Sequence, residues 1–122
     1  MASQQLSHIL LVEDELIVAR DQAQQLQQEG FQVSLARTGP EAVRKATTAS
    51  DTPLVLMDIR LDDEMDGIAA AKEILDRQEV PIVFLTAYAD PKTLREVSEI
   101  TRYGYVLKNS GFPFLLQSVR MA

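Results

Sequence analysis

The chain has 122 residues, a formal net charge of −6 at pH 7 and no cysteine. This length fits one domain. The acidic balance argues against direct binding to nucleic acid or to an anionic membrane, because both contacts need a surplus of Lys and Arg. The lack of cysteine excludes disulfides, thiolate metal sites and cysteine nucleophiles. The sequence shows no apolar stretch of membrane-spanning length and no signal-peptide pattern, so the expected location is the cytoplasm.

Short apolar runs alternate with helical patterns along the chain. The runs, each of strand length, are residues 9–12, 33–36, 54–57, 82–85 and 105–107. Three of them are apolar throughout, which is typical of strands buried on both faces of a parallel sheet. Stripes at helical spacing follow the first four runs, at Leu16, Ala19, Ala23 and Leu26, at Ala42, Val43, Ala46 and Ala49, at Ile68, Ala71, Ile74 and Leu75, and at Leu94, Val97 and Ile100.

This alternation predicts an α/β domain made of five successive βα units. The strands would form a doubly wound, five-stranded parallel sheet with helices on both faces. Pro40 and Pro91 are expected at helix starts, with Asp90 as the cap before Pro91. The fifth helix is expected from about residue 113, and its apolar residues at 112–116 suggest an interface or a continuation of the chain.

Polar side chains follow the predicted strands at the edge where the carboxyl ends meet. Glu13 and Asp14 follow the first run, Asp58 the third, Thr86 the fourth and Lys108 the fifth. In open α/β sheets the functional crevice lies at this edge. Taken singly, Asp14 fits a helix cap, Asp58 a turn and Lys108 a solvated strand end. Taken together, these complementary residues are explained better by convergence on one site than by chance.

Three carboxylates this close together need positive charge nearby if all are to stay ionised. Lys108 supplies one charge, and a divalent cation would supply the other two. Because the ligands are hard oxygens, Mg²⁺ is the expected cofactor. Asp58 could then act as a nucleophile and form an acyl phosphate. Lys108, the Thr86 hydroxyl and the cation are suited to neutralising the phosphoryl oxygens.

These residues, in this order, resemble the receiver domain of bacterial response regulators, a flavodoxin-like fold of the CheY-like superfamily in two-component signalling. The matching segments are 9–15, 54–58, 65–67, 84–88 and 104–108, and the similarity runs from about residue 8 to the end. The resemblance implies one receiver domain over residues 1–122, with residues 1–7 as a flexible tail. We also expect the chain to be the N-terminal module of a longer protein.

The resemblance implies a role for each site residue. Asp58 would accept a phosphoryl group from a histidine kinase or a phosphotransfer protein, and Thr86 and Lys108 would contact that group. Mg²⁺ would be bound by Glu13, Asp14, Asp58 and the backbone carbonyl of Arg60. The chain would not be an enzyme beyond self-catalysed phosphotransfer and slow autodephosphorylation.

The family's conformational switch is also implied. Thr86 would move toward the phosphoryl group, and the ring of Tyr105 would turn inward to fill the space. The face made by the fourth helix, the fifth strand and the fifth helix would change shape. A second copy of the chain or an output domain would bind there.

Two departures from the family pattern lead to further expectations. Asn109 stands where the family usually has proline after the lysine, so we expect a trans Lys108–Asn109 bond and a rearranged loop through residues 110–111. A cis bond before a non-proline residue costs about 2.5–4 kcal/mol. The loop after Asp58 is longer than usual and lacks the family's proline. Its acidic side chains are expected to be solvated, and they are Asp62, Asp63, Glu64 and Asp66.

Arg60 and Tyr88 lie two residues beyond Asp58 and Thr86 respectively. We expect them to flank the phosphoryl group and to set the lifetime of the phosphorylated state.

Three other functions would make different demands on the sequence. A flavin-binding electron carrier would need a phosphate-cradling Ser/Thr/Gly loop where this chain has residues 13–15. A phosphatase or mutase with an aspartyl nucleophile would place that residue after the first strand and a second Asp at position 16, which is Leu here. A non-phosphorylated interaction module of the same fold is the hardest to separate, and the retained Asp58, Thr86 and Lys108 argue against it.

Overall fold

A computed structural model describes residues 8–48, 53–61, 65–87, 90–101 and 103–122. The strands are β1 His8–Val12, β2 Gln32–Ala36, β3 Leu54–Asp58, β4 Ile82–Thr86 and β5 Tyr105–Leu107. The helices are α1 Leu16–Gln28, α2 Gly39–Thr48, α3 Gly67–Arg77, α4 Pro91–Ile100 and α5 Phe112–Met121. A short 3₁₀ turn, Lys108–Ser110, joins β5 to α5. None of the helices described is long and apolar enough to cross a membrane.

The five strands form one parallel sheet in the order β2-β1-β3-β4-β5. This order confirms the predicted doubly wound architecture. The chain reverses its direction of travel across the sheet between β1 and β3, which makes their carboxyl ends the topological switch point. Val12 pairs with Met57 in register, so the residues that follow them, Glu13 and Asp58, lie side by side.

Two hydrophobic cores cover the two faces of the sheet. Leu10 and Val12 of β1 pack in the core that includes buried residues of α2, α3 and α4. Ile9 and Leu11 of the same strand pack in the second core, with buried residues of α1 and α5. Successive residues of a strand point to opposite faces. The strands are apolar throughout because both faces are buried, and this burial holds their polar ends in fixed positions.

The helix faces differ from the sequence expectation in places. The spacing predicts Leu16 in the buried stripe of α1, but Leu16 is 39% exposed and is the first residue of that helix. In α4 the buried residue is Val97, whereas Leu94 and Ile100 are half-buried. Ala49 and the expected flexible tail at residues 1–7 lie outside the described residues.

Two aspartates begin helices. Asp90 caps α4 by accepting a hydrogen bond from the Thr93 amide at 3.2 Å, as expected for the residue before Pro91. Asp66 is exposed, as the sequence predicts for this acidic loop, and its side chain also accepts from the Ala69 amide at 2.8 Å and caps α3. The other acidic residues of that loop, at 62–64, lie outside the described residues.

The segment after Lys108 has the expected trans geometry. No cis peptide bond occurs in the described part of the chain, so the Lys108–Asn109 bond is trans. The 3₁₀ turn ends at Gly111, whose φ of +94° lies in the left-handed region that favours glycine. Asn109 is therefore the middle residue of this turn, which ends at Gly111 before α5.

Candidate functional site

Four strand ends deliver the predicted polar residues to one cleft. Asp58 and Thr86 are the last residues of β3 and β4, and Lys108 directly follows β5. The cleft has a volume of about 200 Å³ and is lined by Asp14, Glu15, Asp58, Arg60, Thr86, Ala87 and Lys108. Glu13 lies beneath this surface and is only 1% exposed. The structure therefore brings together every described residue that the sequence placed at the strand ends.

Three carboxylates form a cluster at this edge. Glu13, Asp14 and Asp58 each offer an oxygen, and these oxygens all lie within 4.8 Å of one another. Oxygens bound directly to one Mg²⁺ can lie up to about 4.2 Å apart, twice a bond length of 2.1 Å. The cluster thus fits a small, hard cation after a slight contraction, or with a water in place of one carboxylate. The donor set contains only oxygen, as Mg²⁺ prefers.

Lys108 bridges two members of the cluster. Its Nζ donates to Asp58 Oδ2 at 2.9 Å and to Glu13 Oε1 at 3.0 Å. Because both carboxylates are buried, these charge-assisted hydrogen bonds are stronger than they would be on the surface. Asn109 in place of the family's proline therefore does not keep Lys108 from Asp58.

Backbone amides orient the same carboxylates. The Arg60 amide donates to Asp58 Oδ1 at 3.2 Å, and the Glu15 amide donates to Glu13 Oε2 at 3.1 Å. Each donor lies two residues beyond its acceptor, a local pattern typical of turns after acidic residues. These two bonds were not predicted from the sequence, although their i to i+2 spacing is a recognisable signal.

The metal-free cluster is electrostatically unfavourable. Burial, together with the charge of Asp58, raises the pKa of Glu13 to about 7, against the opposing hydrogen bonds from Lys108 and the Glu15 amide. Burial also raises the pKa of Asp58, although Lys108 acts in the opposite direction. The pKa of Lys108 is raised because its hydrogen bonds to Asp58 and Glu13 outweigh the effect of burial. A divalent cation would remove this penalty on the carboxylates.

The alternative role of Asp14 as a helix cap is not what the structure shows. The residue that precedes α1 in the cap position is Glu15, and it makes no side-chain cap hydrogen bond. Asp14 instead contributes to the metal-compatible cluster and lines the cleft.

The predicted switch residues lie on neighbouring strands. Thr86 is buried, and it pairs in register with Leu107 of β5. Tyr105 begins β5, and its side chain is 37% exposed. Of the two residues expected to flank the phosphoryl group, Arg60 lines the cleft and Tyr88 lies outside the described residues.

A family model for the response regulator receiver domain matches residues 9–120. The chain belongs to this family. Receiver domains are phosphoacceptor modules of two-component systems rather than catalytic enzymes, so the flavin carrier and the phosphatase are excluded. The parallel sheet in the order β2-β1-β3-β4-β5 is the fold of this receiver domain, and Glu13, Asp14 and Asp58 form its acidic cluster.

Several known proteins resemble this receiver domain. The transcriptional regulatory protein PdtaR of Mycobacterium tuberculosis is 32% identical over 115 residues, which cover 93% of this chain and 55% of PdtaR. The phyllosphere-induced regulator PhyR of Methylorubrum extorquens is 36% identical over 91 residues, which cover 74% of this chain and 34% of PhyR. The chain thus spans between about a third and about half of the length of these relatives.

Two solved structures are similar over nearly the whole chain. The first is the N-terminal domain of a response regulator/sensory box/GGDEF protein from Carboxydothermus hydrogenoformans, with 38% identity, a TM-score of 0.84 and coverage of 94% of this chain and 92% of that one. The second is the response regulator TrrA of Thermotoga maritima, in complex with Mg²⁺-BeF, with 29% identity, a TM-score of 0.84 and coverage of 95% and 98%.

Proposed function

We propose that Asp58 is the phosphoacceptor and that it receives its phosphoryl group from a phosphohistidine of a histidine kinase or a phosphotransfer protein. The observation that carries this proposal is the position of the Asp58 carboxylate, which lies 2.9 Å from Lys108 Nζ within a cluster of three carboxylates at the sheet edge. In the reaction an Asp58 oxygen forms a bond to phosphorus, and the bond from phosphorus to the donor histidine nitrogen breaks. The histidine keeps that electron pair.

Mg²⁺ would be held by Glu13, Asp14, Asp58 and the backbone carbonyl of Arg60. When bound, it would neutralise negative charge on the carboxylates and on the incoming phosphoryl oxygens. Lys108 donates directly to the Asp58 carboxylate. Thr86 lies at the end of the neighbouring strand, where its hydroxyl would contact a phosphoryl oxygen on Asp58. Arg60 and Tyr88 would flank that group and limit the access of water.

The output of the domain would be a change of its α4-β5-α5 face. Thr86 and Tyr105 would be the switch, with the ring of Tyr105 filling the space that Thr86 leaves. This face also carries Phe114, which is 54% exposed. A second copy of the chain or an output domain would bind here. This receiver domain would be one module of a longer cytoplasmic protein, and it would contact neither nucleic acid nor membrane.

The phosphodonor protein would dock on a groove beside the cleft. A groove of about 650 Å³ lies between α1 and the β5–α5 segment, and Glu15 and Lys108 line both this groove and the cleft. Its wall includes Ile17, which is 85% exposed, and the half-buried Phe112. An apolar patch rimmed by polar residues is typical of a protein contact, and Ile17 and Phe112 belong to such a patch beside the charged cleft. A protein that delivers a phosphoryl group to Asp58 would cover this groove.

The central experiment is incubation of the domain with Mg²⁺ and acetyl phosphate, followed by intact mass measurement. We expect one phosphoryl increment in the parent and in Asp66→Asn, since Asn also caps helices, and none in Asp58→Asn. Absence of the increment in the parent with any phosphodonor would leave the non-phosphorylated interaction module as the better explanation. An increment that persists in Asp58→Asn would place the acceptor elsewhere.

The docking groove is tested by comparing two donors. Ile17→Ser should slow phosphorylation by a cognate phosphohistidine protein at least several-fold and leave phosphorylation by acetyl phosphate unchanged, because the small donor needs no groove. Gln27→Ser, an exposed position of α1 that does not line the groove, is the matched control. Equal rates for Ile17→Ser and the control with the protein donor would refute this docking face.

A further inference from the structure

The two ends of the segment between β3 and α3 are held together behind Asp58. The Gly67 amide donates to the Ile59 carbonyl at 2.8 Å, and the Ile59 amide donates to the Leu85 carbonyl of β4 at 3.0 Å. A Cβ atom on Gly67 would collide with the backbone carbonyl oxygen of Asp58. The start of α3 is therefore in direct contact with the backbone that presents the phosphoacceptor.

Met65 lies in the same segment and contacts the start of a different helix. A Cβ added to Gly39, the first residue of α2, would lie 2.7 Å from Met65 Cγ and 2.9 Å from both its Sδ and its carbonyl oxygen. The φ of Gly39 is not in the left-handed region, so glycine is not required there for its backbone conformation. Glycine is required there for steric reasons, because Met65 occupies the space that a side chain at position 39 would need.

The start of α2 is held firmly in place. Thr38 Oγ1 accepts from the Glu41 amide at 3.2 Å, and Glu41 Oε1 accepts from the Arg37 amide at 2.7 Å. Lys45 extends this network by pairing with Glu41 at 3.1 Å and by donating to the Leu35 carbonyl of β2. A reciprocal cap of this kind fixes the first turn of a helix. An overlap at Gly39 would therefore be relieved by movement of Met65 rather than of α2.

We propose that Gly39 is a positioning residue for the phosphoacceptor site, acting through Met65. The space left by Gly39 holds Met65 in place, and Met65 fixes the adjoining Asp66 and Gly67. The Gly67–Ile59 bond then links the start of α3 to the backbone between Asp58 and the Arg60 amide that is bonded to it. This inference rests on the proposed function of Asp58, which it deepens. Displacing Met65 would loosen the Gly67–Ile59 bond and misalign both the Asp58 carboxylate and the Arg60 carbonyl.

The test compares Gly39→Ala with Ile74→Ala, a cavity variant in the same core that lies about two turns along α3 from Gly67. The first readout needs no metal: the hydrogen-exchange rate of the Gly67 amide relative to amides of α5. We expect Gly39→Ala to speed Gly67 exchange at least tenfold relative to α5. Ile74→Ala should lower the thermal midpoint without changing that ratio. The second readout is Mg²⁺ affinity by calorimetry, where we expect Kd to rise at least fivefold in Gly39→Ala and less than twofold in Ile74→Ala.

A double variant shows whether Met65 transmits the effect. Gly39→Ala should speed Gly67 exchange much less in the Met65→Ala background than in the parent, because Met65 Cγ and Sδ are gone and only the carbonyl oxygen of residue 65 remains close to the added methyl. Purely additive effects would overturn the proposal, as would parent-like Gly67 exchange in Gly39→Ala. Should Gly39→Ala fail to fold, Met65→Ala decides alone, and an unchanged Gly67 exchange overturns the proposal. If instead the parent itself binds no Mg²⁺ and accepts no phosphoryl group, the proposed function fails, and this inference fails with it.

Discussion

The metal-free domain should lose stability as the pH rises from 4.5 to 7, because of Glu13. Its ordinary pKa is 4.5, and burial raises it to about 7 in the folded protein. Between these values the unfolded chain has released the proton and the folded chain still binds it, so the free energy of unfolding falls with rising pH. A shift of this size corresponds to about 3 kcal/mol. The raised pKa of Asp58 also makes the free energy of unfolding fall as the pH rises, and this effect begins at a lower pH because the ordinary pKa is 3.8. The raised pKa of Lys108 changes the free energy of unfolding only near and above pH 10.5.

The assay is urea unfolding followed by circular dichroism at pH 4.5 to 8, with EDTA present. Glu13→Gln removes the titration and should give a flatter profile, so the parent-minus-variant difference isolates Glu13. A loss of about 3 kcal/mol is a large part of the 5–15 kcal/mol typical of a domain. Mg²⁺ at 100 times its Kd should restore about 2.7 kcal/mol at pH 8 in the parent. The reasoning would be refuted if both proteins showed the same pH profile in EDTA.

Two further predictions concern the segments that flank Asp58. Asp66→Ala should lower the free energy of unfolding by about 1 kcal/mol, because the cap of α3 is lost. Asp66→Asn should keep most of that stability in the same urea assay, since Asn also caps helices. Equal stability of the two variants would contradict the cap. Arg60→Ala and Tyr88→Ala should change the rate of autodephosphorylation more than the rate of phosphorylation, as measured by loss of the phosphoryl mass over time. Dephosphorylation at the parent rate in both variants would rule out a shielding role.

The strands could be predicted from the sequence because burial on both faces leaves an uninterrupted apolar run. Residues 9–12 and 82–85 are such runs, and the structure places them in the interior of the sheet. The helices leave a weaker signal, since a stripe does not show where a helix reaches the edge of the sheet. Leu16 has the correct spacing for the buried face of α1 but lies at its first residue and is half exposed.

The convergence of the site could also be predicted, because parallel strands bring their carboxyl ends to one edge. Contacts set by three-dimensional proximity could not. Gly39 and Met65 are far apart in the chain, and no periodic pattern relates a helix start to a loop after another strand. Asp66 resembled its acidic neighbours in composition, whereas its role as a cap depends on where α3 begins. Sequence patterns thus indicate the strand ends better than the segments that hold them in place.

The exposure of Tyr105 leads to a prediction for the switch. Tyr105 is the first residue of β5 and pairs in register with Phe84 of β4. It lies two strand positions before Leu107, the register partner of Thr86. In the unphosphorylated chain the side chain is 37% exposed. If Thr86 moves toward a phosphoryl group on Asp58, the space it leaves lies on the strand next to Tyr105, and filling it would bury the aromatic ring.

Fluorotyrosine NMR with a soluble paramagnetic agent measures this burial directly. Phosphorylation should reduce the paramagnetic broadening of the Tyr105 signal. Tyr103, also 37% exposed, serves as an internal reference. Its backbone amide donates to Thr101 Oγ1 at 3.1 Å, at the end of the strands opposite to Asp58. The Thr86→Ala variant should still accept the phosphoryl group on Asp58. Phosphorylation should not change its Tyr105 broadening, which either stays at the level of the unphosphorylated parent or is already reduced before phosphorylation, because the side chain that couples the two sites is missing. A phosphorylation-dependent change of the same size in Thr86→Ala and in the parent would show that Tyr105 responds to phosphorylation without Thr86.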